Sequence, residues 1–183
     1  MDNDKALSEV QREQPDIHAS GILTEVDVTD GKEMEDIWNH LKEQDQIFDD
    51  FTKDRPELWI MICMLPTTKL FRVRDAGIVQ LNDLRPPLGA VVHYVTWRDL
   101  HPGERAEAIT ELFRLAFEEW KLRRLTAFVP VTNPIARRVA LSAGFRFEGC
   151  LRQSFLKNGR YHDVDLFGML SHEYEARKRN KVV

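Results

Sequence analysis

The sequence predicts an α/β (α+β) domain, in which a mixed, mostly antiparallel sheet of six to seven strands carries helices on both faces. Two observations predict this class. Segments with strand-type alternation and segments with helical spacing follow one another along the whole chain. Three strand-type segments are consecutive, and their links are too short for crossover helices, so they are expected to pair antiparallel. With 183 residues, of which 43% are hydrophobic, we expect one core.

The chain opens with a predicted β-α unit behind a polar arm. Residues 1–16 are polar and lack periodicity, which predicts a disordered or loosely docked arm. Ile22 to Thr29 alternates as a strand and is followed by an Asp30-Gly31 turn. One face of the next helix is marked by Met34, Ile37, Trp38 and Leu41.

The middle of the chain predicts three adjacent strands. Leu58 to Leu65 is apolar on both faces, as in a central strand. Leu70 to Leu84 continues with β-type alternation until Pro86-Pro87, and Gly89 to Trp97 forms a further strand. These segments therefore build the antiparallel part of the sheet.

The following segment predicts a helix, a strand and a second, shorter helix. Apolar residues recur at helical spacing from Glu104 to Trp120, and Leu125 to Val131 reads as a strand. Asn133-Pro134 supplies a cap and a first-turn proline, and Gly144 is placed to end the helix in a left-handed conformation. The second helix is expected to span residues 134–143.

A hairpin closes the predicted domain. Four apolar residues are expected on one side of the next strand, namely Phe145, Phe147, Leu151 and Phe155. Asn158-Gly159 is a strong hairpin signal, and Asp163 to Leu170 returns beside that strand. We expect a single domain over residues 17–175 and a basic C-terminal tail over residues 176–183.

Composition narrows the classes of function. A formal charge of −4 argues against a nucleic-acid partner. The longest apolar run is far shorter than a membrane span, and the acidic N-terminus is unlike a signal peptide, so a cytoplasmic location without a membrane partner is expected. Cys63 and Cys150 each lie in an apolar segment, which predicts two buried reduced thiols and no metal site.

The C-terminal part of the chain resembles a known family. Asn133 to Gly149 is followed by Leu151-Arg152 and by Gly159-Arg160-Tyr161-His162-Asp163. This pattern is similar to the GNAT superfamily of N-acetyltransferases, in the branch that includes the ribosomal-protein N-terminal acetyltransferases, and the match extends over about residues 104 to 172. The resemblance implies acetyl-CoA as co-substrate, no metal, and a primary amine as acceptor, either a protein N-terminus or a small molecule.

The resemblance also indicates where the coenzyme would bind. The N-terminus of the helix near Glu104 offers backbone N–H groups to a pyrophosphate. In the family the preceding loop reads Arg or Gln, two residues, Gly, one residue, then Gly or Ala; of this pattern only Gly103 is present here. Three side chains stand as alternative phosphate contacts, and they are Arg98, His101 and Arg105. The same loop contains Glu104, an anion facing an anionic ligand.

Further roles follow from the resemblance. Asn133 matches the position that holds the pantetheine arm or a bound water; the alternative is plain helix capping, and one Asn can fill both roles. Ala136 stands where relatives carry Ser, a proposed proton donor to the leaving thiolate. Tyr161 is the nearest family-matched hydroxyl, with hairpin packing as its alternative role.

The general base and the acceptor site are predicted from position and chemistry. His93 lies in the middle of the Gly89 to Trp97 strand and titrates near neutral pH, so it is the preferred base, against the alternative of a packing or surface residue. Asp83 and Asp99 are weaker candidates at strand ends. The acceptor would meet Met34 to Leu41, Gln46 to Arg55 and the final hairpin, with three acidic residues to attract an amine: Asp45, Asp49 and Asp50.

Two other functions fit the sequence. The altered 98–105 loop and the missing Ser fit a catalytically silent GNAT-fold module used for interaction or assembly. Transfer of a different group, for example to a nucleic-acid base, fits less well with the negative charge. A homodimer is compatible with either function.

Overall fold

A seven-stranded sheet runs through the part of the chain that the structure, a computed structural model, describes: residues 21–44 and 46–180. The strands are β1 (Leu23–Glu25), β2 (Lys69–Val73), β3 (Gly77–Arg85), β4 (Gly89–Thr96), β5 (Arg124–Pro130), β6 (Arg146–Lys157) and β7 (Arg160–Leu170). Their order in the sheet is β1-β2-β3-β4-β5-β7-β6. The pair β4–β5 is parallel and the other pairs are antiparallel, which confirms the predicted mixed, mostly antiparallel sheet.

Helices connect and cover these strands. They are α1 (Gly31–Leu41), α2 (Pro56–Cys63), α3 (Pro102–Phe113), α4 (Pro134–Ala143) and α5 (Ser171–Asn180). Beyond its last residue α3 continues into a π-helical segment, Arg114–Glu119. α5 includes the first part of the predicted basic tail; the rest of that tail, the predicted N-terminal arm and Asp45 lie outside the described residues.

The α4 helix follows the prediction residue by residue because its ends are set locally. The side-chain Oδ1 of Asn133 accepts a hydrogen bond from the N–H of Ala136 at 2.9 Å, and Pro134 occupies the first turn. Gly144 ends the helix with φ 101°, a conformation that glycine adopts without steric cost. Asp30 likewise caps α1 through the N–H of Lys32 at 2.9 Å, so the predicted Asp30-Gly31 turn is a helix start.

The predicted strand Leu58 to Leu65 is wrong, because this segment is the helix α2 and its end. An apolar run of eight residues has no periodicity that separates a buried strand from a buried helix. Pro56 at the first turn is the local signal for a helix. The third antiparallel strand instead comes from the Leu70 to Leu84 segment, which divides into β2 and β3.

Two irregularities in β6 change the predicted strand face. The register with β7 shifts between Phe147 and Gly149 and again between Leu151 and Phe155. Phe145 and Phe155 are buried, whereas Phe147 and Leu151 are exposed, so the four residues do not share one buried side as predicted. Cys63, the last residue of α2, is buried as expected. Cys150, which lies on β6, is exposed, so the expectation of two buried thiols is wrong.

The two faces of the sheet carry separate cores. Along β3, Val79 and Leu81 belong to the core that includes residues of α3 and the π-helical segment, whereas Ile78 belongs to the core with α1 and α2. Successive residues of a strand point to opposite faces, so the helices cover both faces as predicted. No helix within the described ranges is both long enough and apolar enough to cross a membrane.

The sheet opens between β4 and β5. These strands pair in parallel at three positions, and the last of them joins Val91 to Thr126. Beyond it, β4 stays paired with β3 as far as Thr96, and β5 stays paired with β7 as far as Pro130. Each strand therefore has one edge without a sheet partner, and the two edges bound a cleft.

Candidate active site

The cleft between β4 and β5 is the candidate active site, because it combines free backbone groups with titratable side chains. Backbone N–H and C=O groups that lack a ladder partner favour a ligand that can hydrogen-bond to them. His93 and Tyr94 lie on the β4 side of the cleft, beyond the last pair with β5. Their side chains leave opposite faces of the strand.

His93 occupies the α1–α2 side of the cleft. It shares a strand face with Val95, which packs against the core formed by α1 and α2. His93 is exposed, yet the protein packed around its ring removes hydration and lowers the pKa from its ordinary value of 6.5. The lowered pKa favours the neutral imidazole at physiological pH, and the exposed side chain leaves it accessible.

Tyr94 occupies the opposite side, beside the first turn of α3. Its ring packs against the core that contains α3 residues, and its hydroxyl oxygen is buried without a hydrogen-bond partner. Burial raises the pKa of Tyr94, and the neighbouring guanidinium of Arg105 opposes that increase. The sequence analysis missed Tyr94; the alternation of β4 places it opposite His93, but the unpaired hydroxyl depends on the tertiary structure.

In the predicted phosphate loop, backbone N–H groups donate to side chains of the loop itself. Nδ1 of His101 accepts a hydrogen bond from the N–H of Gly103 at 3.2 Å. Oε2 of Glu104 accepts one from the N–H of His101 at 3.1 Å, which completes a capping box. Pro102 has no N–H to offer. The side chain of Glu104 also pairs with Arg74 at 3.0 Å, so its charge is used within the protein.

The cationic candidates of this loop have different surroundings. The guanidinium of Arg98 forms an ion pair with Asp75 and also donates to the carbonyl oxygen of Asp99 at 3.2 Å. Arg105 lies in the first turn of α3, and no carboxylate of the described chain pairs with it. The two arginines therefore differ: Arg98 is paired with a carboxylate, whereas no carboxylate within the described residues pairs with Arg105.

Asn133 begins α4 directly after β5, at the open end of the cleft. Its Oδ1 caps the N–H of Ala136, and its own N–H donates to the carbonyl oxygen of Pro130 at 2.8 Å. The capping role foreseen for Asn133 is therefore present. The Ala136 position carries no hydroxyl.

The acceptor side is bounded by the β6–β7 hairpin and the segment of residues 46–55. The N–H of Gly159 donates to Oδ2 of Asp50 at 2.7 Å, and the N–H of Asp50 donates to the carbonyl oxygen of Leu156 at 2.8 Å. The hydrogen bond from Gly159 lowers the pKa of Asp50. Asp49 accepts from the N–H groups of Phe51 and Thr52. These two acids therefore have structural partners.

The remaining predicted catalytic groups lie apart from the cleft centre. Tyr161 is 67% exposed near the tip of the hairpin, opposite Leu156. Asp83 lies at an irregularity of β3 near the closed end of the β4–β5 pair and binds Arg85. Asp99 is exposed in the loop after β4. The structure does not bring these three side chains together with His93.

A separate surface groove of about 680 Å³ runs along β6 and is lined by residues 150–154. β6 is the edge strand of the sheet, far in strand order from the β4–β5 cleft. The register irregularity between Leu151 and Phe155 lies in the same stretch of β6. It brings no residue of the candidate active site together, so we assign it no part in the chemistry.

Curated relatives are acetyltransferases. The ribosomal-protein-serine acetyltransferase of Escherichia coli (strain K12) is 32% identical over 97 residues, which are 51% of this chain and 54% of that protein. The putative ribosomal N-acetyltransferase YdaF of Bacillus subtilis (strain 168) is 35% identical over 71 residues, 39% of each chain. The match thus spans about half, or less, of these relatives. No protein-family model matches the sequence.

Solved structures show the same fold over most of the chain. Spermidine N-acetyltransferase from Vibrio cholerae in complex with CoA and spermine superposes with a TM-score of 0.64 at 21% identity, covering 85% of this chain and 99% of that one. A chimera of that enzyme with hSSAT gives a TM-score of 0.65 at 24% identity, covering 84% and 98%. The predicted GNAT-like fold and the resemblance to ribosomal-protein acetyltransferases are confirmed.

Proposed function

We propose that the protein transfers an acetyl group from acetyl-CoA to a primary amine by direct attack in a ternary complex. The observation that carries this proposal is the β4–β5 cleft, which has unpaired strand edges and the accessible, neutral imidazole of His93 in its wall. The named relatives are N-acetyltransferases, which supports the same reaction class.

The residues of the cleft supply what an acyl transfer needs. Acetyl-CoA would supply the thioester carbonyl that the amine attacks, and its thiolate would be the leaving group. His93 is placed to accept the proton that the ammonium form of the acceptor must lose before it attacks. Backbone N–H groups of β4 beyond Val91 can donate to the oxygen that becomes negative during the attack. Holding both substrates in the cleft supplies the remaining rate enhancement through proximity.

The acceptor is proposed at the level of a primary amine. One curated relative is named for serine of a ribosomal protein, and one structural neighbour is named for spermidine and contains spermine. A protein N-terminus and a small-molecule amine are therefore the two classes to test. A neighbour described as dodecameric supports an oligomer, of which the homodimer suggested by the sequence is the simplest case. The cytoplasmic location and the domain limits 17–175 stay predictions.

The test measures thiol release and product mass together. The purified full chain is incubated with acetyl-CoA and one of three acceptors in parallel reactions. The acceptors are spermidine, a peptide that has a free N-terminal Ser, and the same peptide already N-acetylated. We expect thiol release and a mass gain of one acetyl group with at least one of the free amines and none with the blocked peptide. Absence of acetyl-CoA binding by calorimetry at millimolar ligand would reject the proposal.

A catalytically silent interaction module is the second candidate. The self-capped first turn of α3 favours it, because His101, Pro102 and Glu104 leave the predicted phosphate loop with satisfied or missing donors. The two candidates differ in one readout. Acetyl-CoA-dependent turnover that falls in a His93→Gln variant rejects the silent module, whereas a folded protein that binds neither acetyl-CoA nor CoA supports it.

A further inference from the structure

Three hydrogen-bonded side chains, the Trp59–Gln80–Asn82 array, join α2 to β3. The indole Nε1–H of Trp59 donates to Oε1 of Gln80 at 2.9 Å, and Nε2 of Gln80 donates to Oδ1 of Asn82 at 2.9 Å. Trp59 and Gln80 are 7% and 5% exposed, and they adjoin the core that contains Ile37 and Ile78. Burying an amide costs free energy that an apolar side chain would not cost, so Gln80 calls for an explanation.

The partners of Gln80 fix the orientation of its amide. An indole N–H only donates hydrogen bonds, so the atom that faces Trp59 must be the amide oxygen. Exchanging the two ends of the amide would set an N–H of Gln80 against the N–H of Trp59. An amide oxygen accepts two hydrogen bonds, and Trp59 supplies one of them. Oε1 of Gln80 can therefore accept a second hydrogen bond from another donor.

His93 lies directly opposite Gln80 in the ladder between β3 and β4. Residues in such a pair leave the same face of the sheet, with Cβ atoms about 4.5–5.5 Å apart. No hydrogen bond to the His93 ring is found in residues 21–44 and 46–180, and desolvation is the cause of its lowered pKa. The side chain of His93 is exposed. One ring nitrogen can thus face Gln80 while the other faces the cleft.

The charged groups of the surrounding elements are occupied elsewhere and do not set the pKa of His93, because desolvation alone lowers it. Those on α1, α2 and the segment of residues 46–55 include Glu33 and Asp36, which pair with Arg72; His40, which stacks on Trp97; Cys63, whose pKa burial raises to about 12; and Asp49 and Asp50, which accept backbone N–H groups. On this face β3 contributes the uncharged Gln80 and Asn82, and neither Thr126 nor Phe128 of β5 ionises. Gln80 is therefore the polar group placed to orient the ring.

We propose that Gln80 is a positioning residue for His93: its Oε1 accepts the N–H of the imidazole, and the other ring nitrogen presents its lone pair to the β4–β5 cleft. This inference rests on the proposed function, in which His93 is the base. A hydrogen bond to one nitrogen selects the tautomer and the orientation of the ring. When the acceptor amine gives its proton to the free nitrogen, Oε1 keeps its bond to the imidazolium, and that bond is charge-assisted. Trp59 acts one step further away, by holding Oε1 toward the ring.

NMR of the ligand-free protein with isotope-labelled histidine tests this contact without turnover. The variants are Gln80→Met, which keeps the side-chain length without the amide, Gln80→Glu, Trp59→Phe and the control Gln44→Met. Gln44 is a partly buried glutamine whose Nε2 donates to the carbonyl oxygen of His40 at 3.4 Å, outside the array. We expect a ring N–H signal of His93 in the wild type and in Gln44→Met, a weaker one in Trp59→Phe and none in Gln80→Met.

The pKa of His93 should move in opposite directions in the two Gln80 variants. Gln80→Met removes an acceptor that binds the imidazolium more strongly than the neutral ring, so the pKa falls further. Gln80→Glu places a carboxylate there, so the pKa rises. The acidic limb of kcat should shift in the same two directions. In Gln80→Met we expect kcat to be about 10-fold lower, with the affinity for acetyl-CoA unchanged. A residue that only packs would change stability without these opposite shifts.

The outcomes separate this inference from the proposed function. If the ring N–H signal and the pKa of His93 are the same in Gln80→Met as in the wild type, the positioning role is wrong and the proposed function stands. If both change as expected but the wild type acetylates no amine, the contact between Gln80 and His93 stands and the proposed function fails. Should Gln80→Met not fold, two other results would each overturn the positioning role: no ring N–H signal in the wild type, or an unchanged pKa of His93 in Gln80→Glu.

Discussion

The imidazole of His101 and the backbone N–H of Gly103 are joined by a hydrogen bond of 3.2 Å at the start of α3. The glycine that resembles the family's phosphate-binding glycine is therefore occupied by a side chain of its own loop. Glu104 completes the cap from the other direction. The turn at which the sequence predicts a phosphate contact is therefore stabilised by its own side chains.

Gly103→Ala is expected to fold normally and to keep its affinity for acetyl-CoA. A Cβ at Gly103 would have His101 Nδ1 as its nearest neighbour at 3.4 Å, which is an ordinary contact. Alanine in a helix is favoured over glycine by about 0.5–1 kcal/mol, so stability should be equal or higher. Denaturant unfolding and calorimetry measure the two quantities. Loss of acetyl-CoA binding in Gly103→Ala would indicate that the ligand needs close approach to this backbone.

Gly144→Ala is the matched control for this prediction. Gly144 has φ 101°, and a Cβ there would overlap the guanidinium of Arg177. The left-handed conformation costs a non-glycine residue about 1–2 kcal/mol. We therefore expect Gly144→Ala to lower the free energy of unfolding while Gly103→Ala does not.

His93→Gln is expected to lower kcat by about 100-fold or more with little change in acetyl-CoA affinity. The imidazole must be neutral to accept a proton, and desolvation lowers its pKa below 6.5. Activity of the wild type should therefore persist through pH 6.5 and fall as the pH decreases through the lowered pKa. Steady-state kinetics from acidic to neutral pH measures this limb. A variant that retains the same acidic limb would show that another group is the base.

The same shift predicts a dependence of stability on pH. Because the folded pKa of His93 lies below its unfolded value of 6.5, the unfolded chain binds this proton more readily. The contribution of His93 to the free energy of unfolding is present above pH 6.5 and is lost as the pH falls through the pKa of the folded state. Comparing wild type with His93→Gln by chemical denaturation at several pH values isolates this contribution, and identical pH profiles would contradict it.

Asp50→Ala is expected to loosen the tip of the β6–β7 hairpin. Its carboxylate accepts from the N–H of Gly159, which lowers the pKa of Asp50 below its ordinary value. The protection factor of the Gly159 amide, which compares its exchange rate with the intrinsic rate at the same pH, should fall in the variant, and in the wild type it should fall as the pH decreases through the lowered pKa. Asp54→Ala, an exposed acid of the same segment, is the control. Equal exchange in both variants would mean that Asp50 does not hold the hairpin.

Cys150 is expected to be the thiol that reacts with an alkylating reagent in the folded protein. The pKa of both thiols is raised, but Cys150 is exposed, whereas Cys63 is buried and burial raises its pKa to about 12. Mass spectrometry should find one label on the native protein and two after unfolding. Cys150→Ser should remove the label from the native protein. Labelling of Cys63 under native conditions would show that α2 opens.

The elements that the sequence predicts well are those with local signals. Residues 134–143 form the helix that Asn133-Pro134 and Gly144 predict, because a cap and a left-handed glycine act within a few residues. The Asn158-Gly159 hairpin is found for the same reason. The strand predicted at Leu58 to Leu65 fails because eight apolar residues suit a buried strand and a buried helix equally, and tertiary packing decides.

The candidate site was predictable in part. His93 could be placed on β4 from its strand pattern and its chemistry. Neither the self-capping by His101 nor the unpaired hydroxyl of Tyr94 could be predicted, because both depend on where the loop after β4 and the first turn of α3 pack. Asp49 and Asp50 were expected to attract an amine. The N–H groups that bind Asp49 belong to the next turn of the chain, at Phe51 and Thr52, whereas the N–H that binds Asp50 comes from the distant Gly159 and could not be predicted.

The ladder between β4 and β5, with three residue pairs, is also a short connection between two halves of the sheet. Strands β1 to β4 form one half of the sheet and β5 to β7 the other, and the ladders that flank the β4–β5 pair, β3–β4 and β5–β7, are both longer. A molecule that hydrogen-bonds to both free edges would extend the short ladder and bind the halves together. Donor binding should therefore make the two halves unfold more cooperatively, as well as at higher temperature.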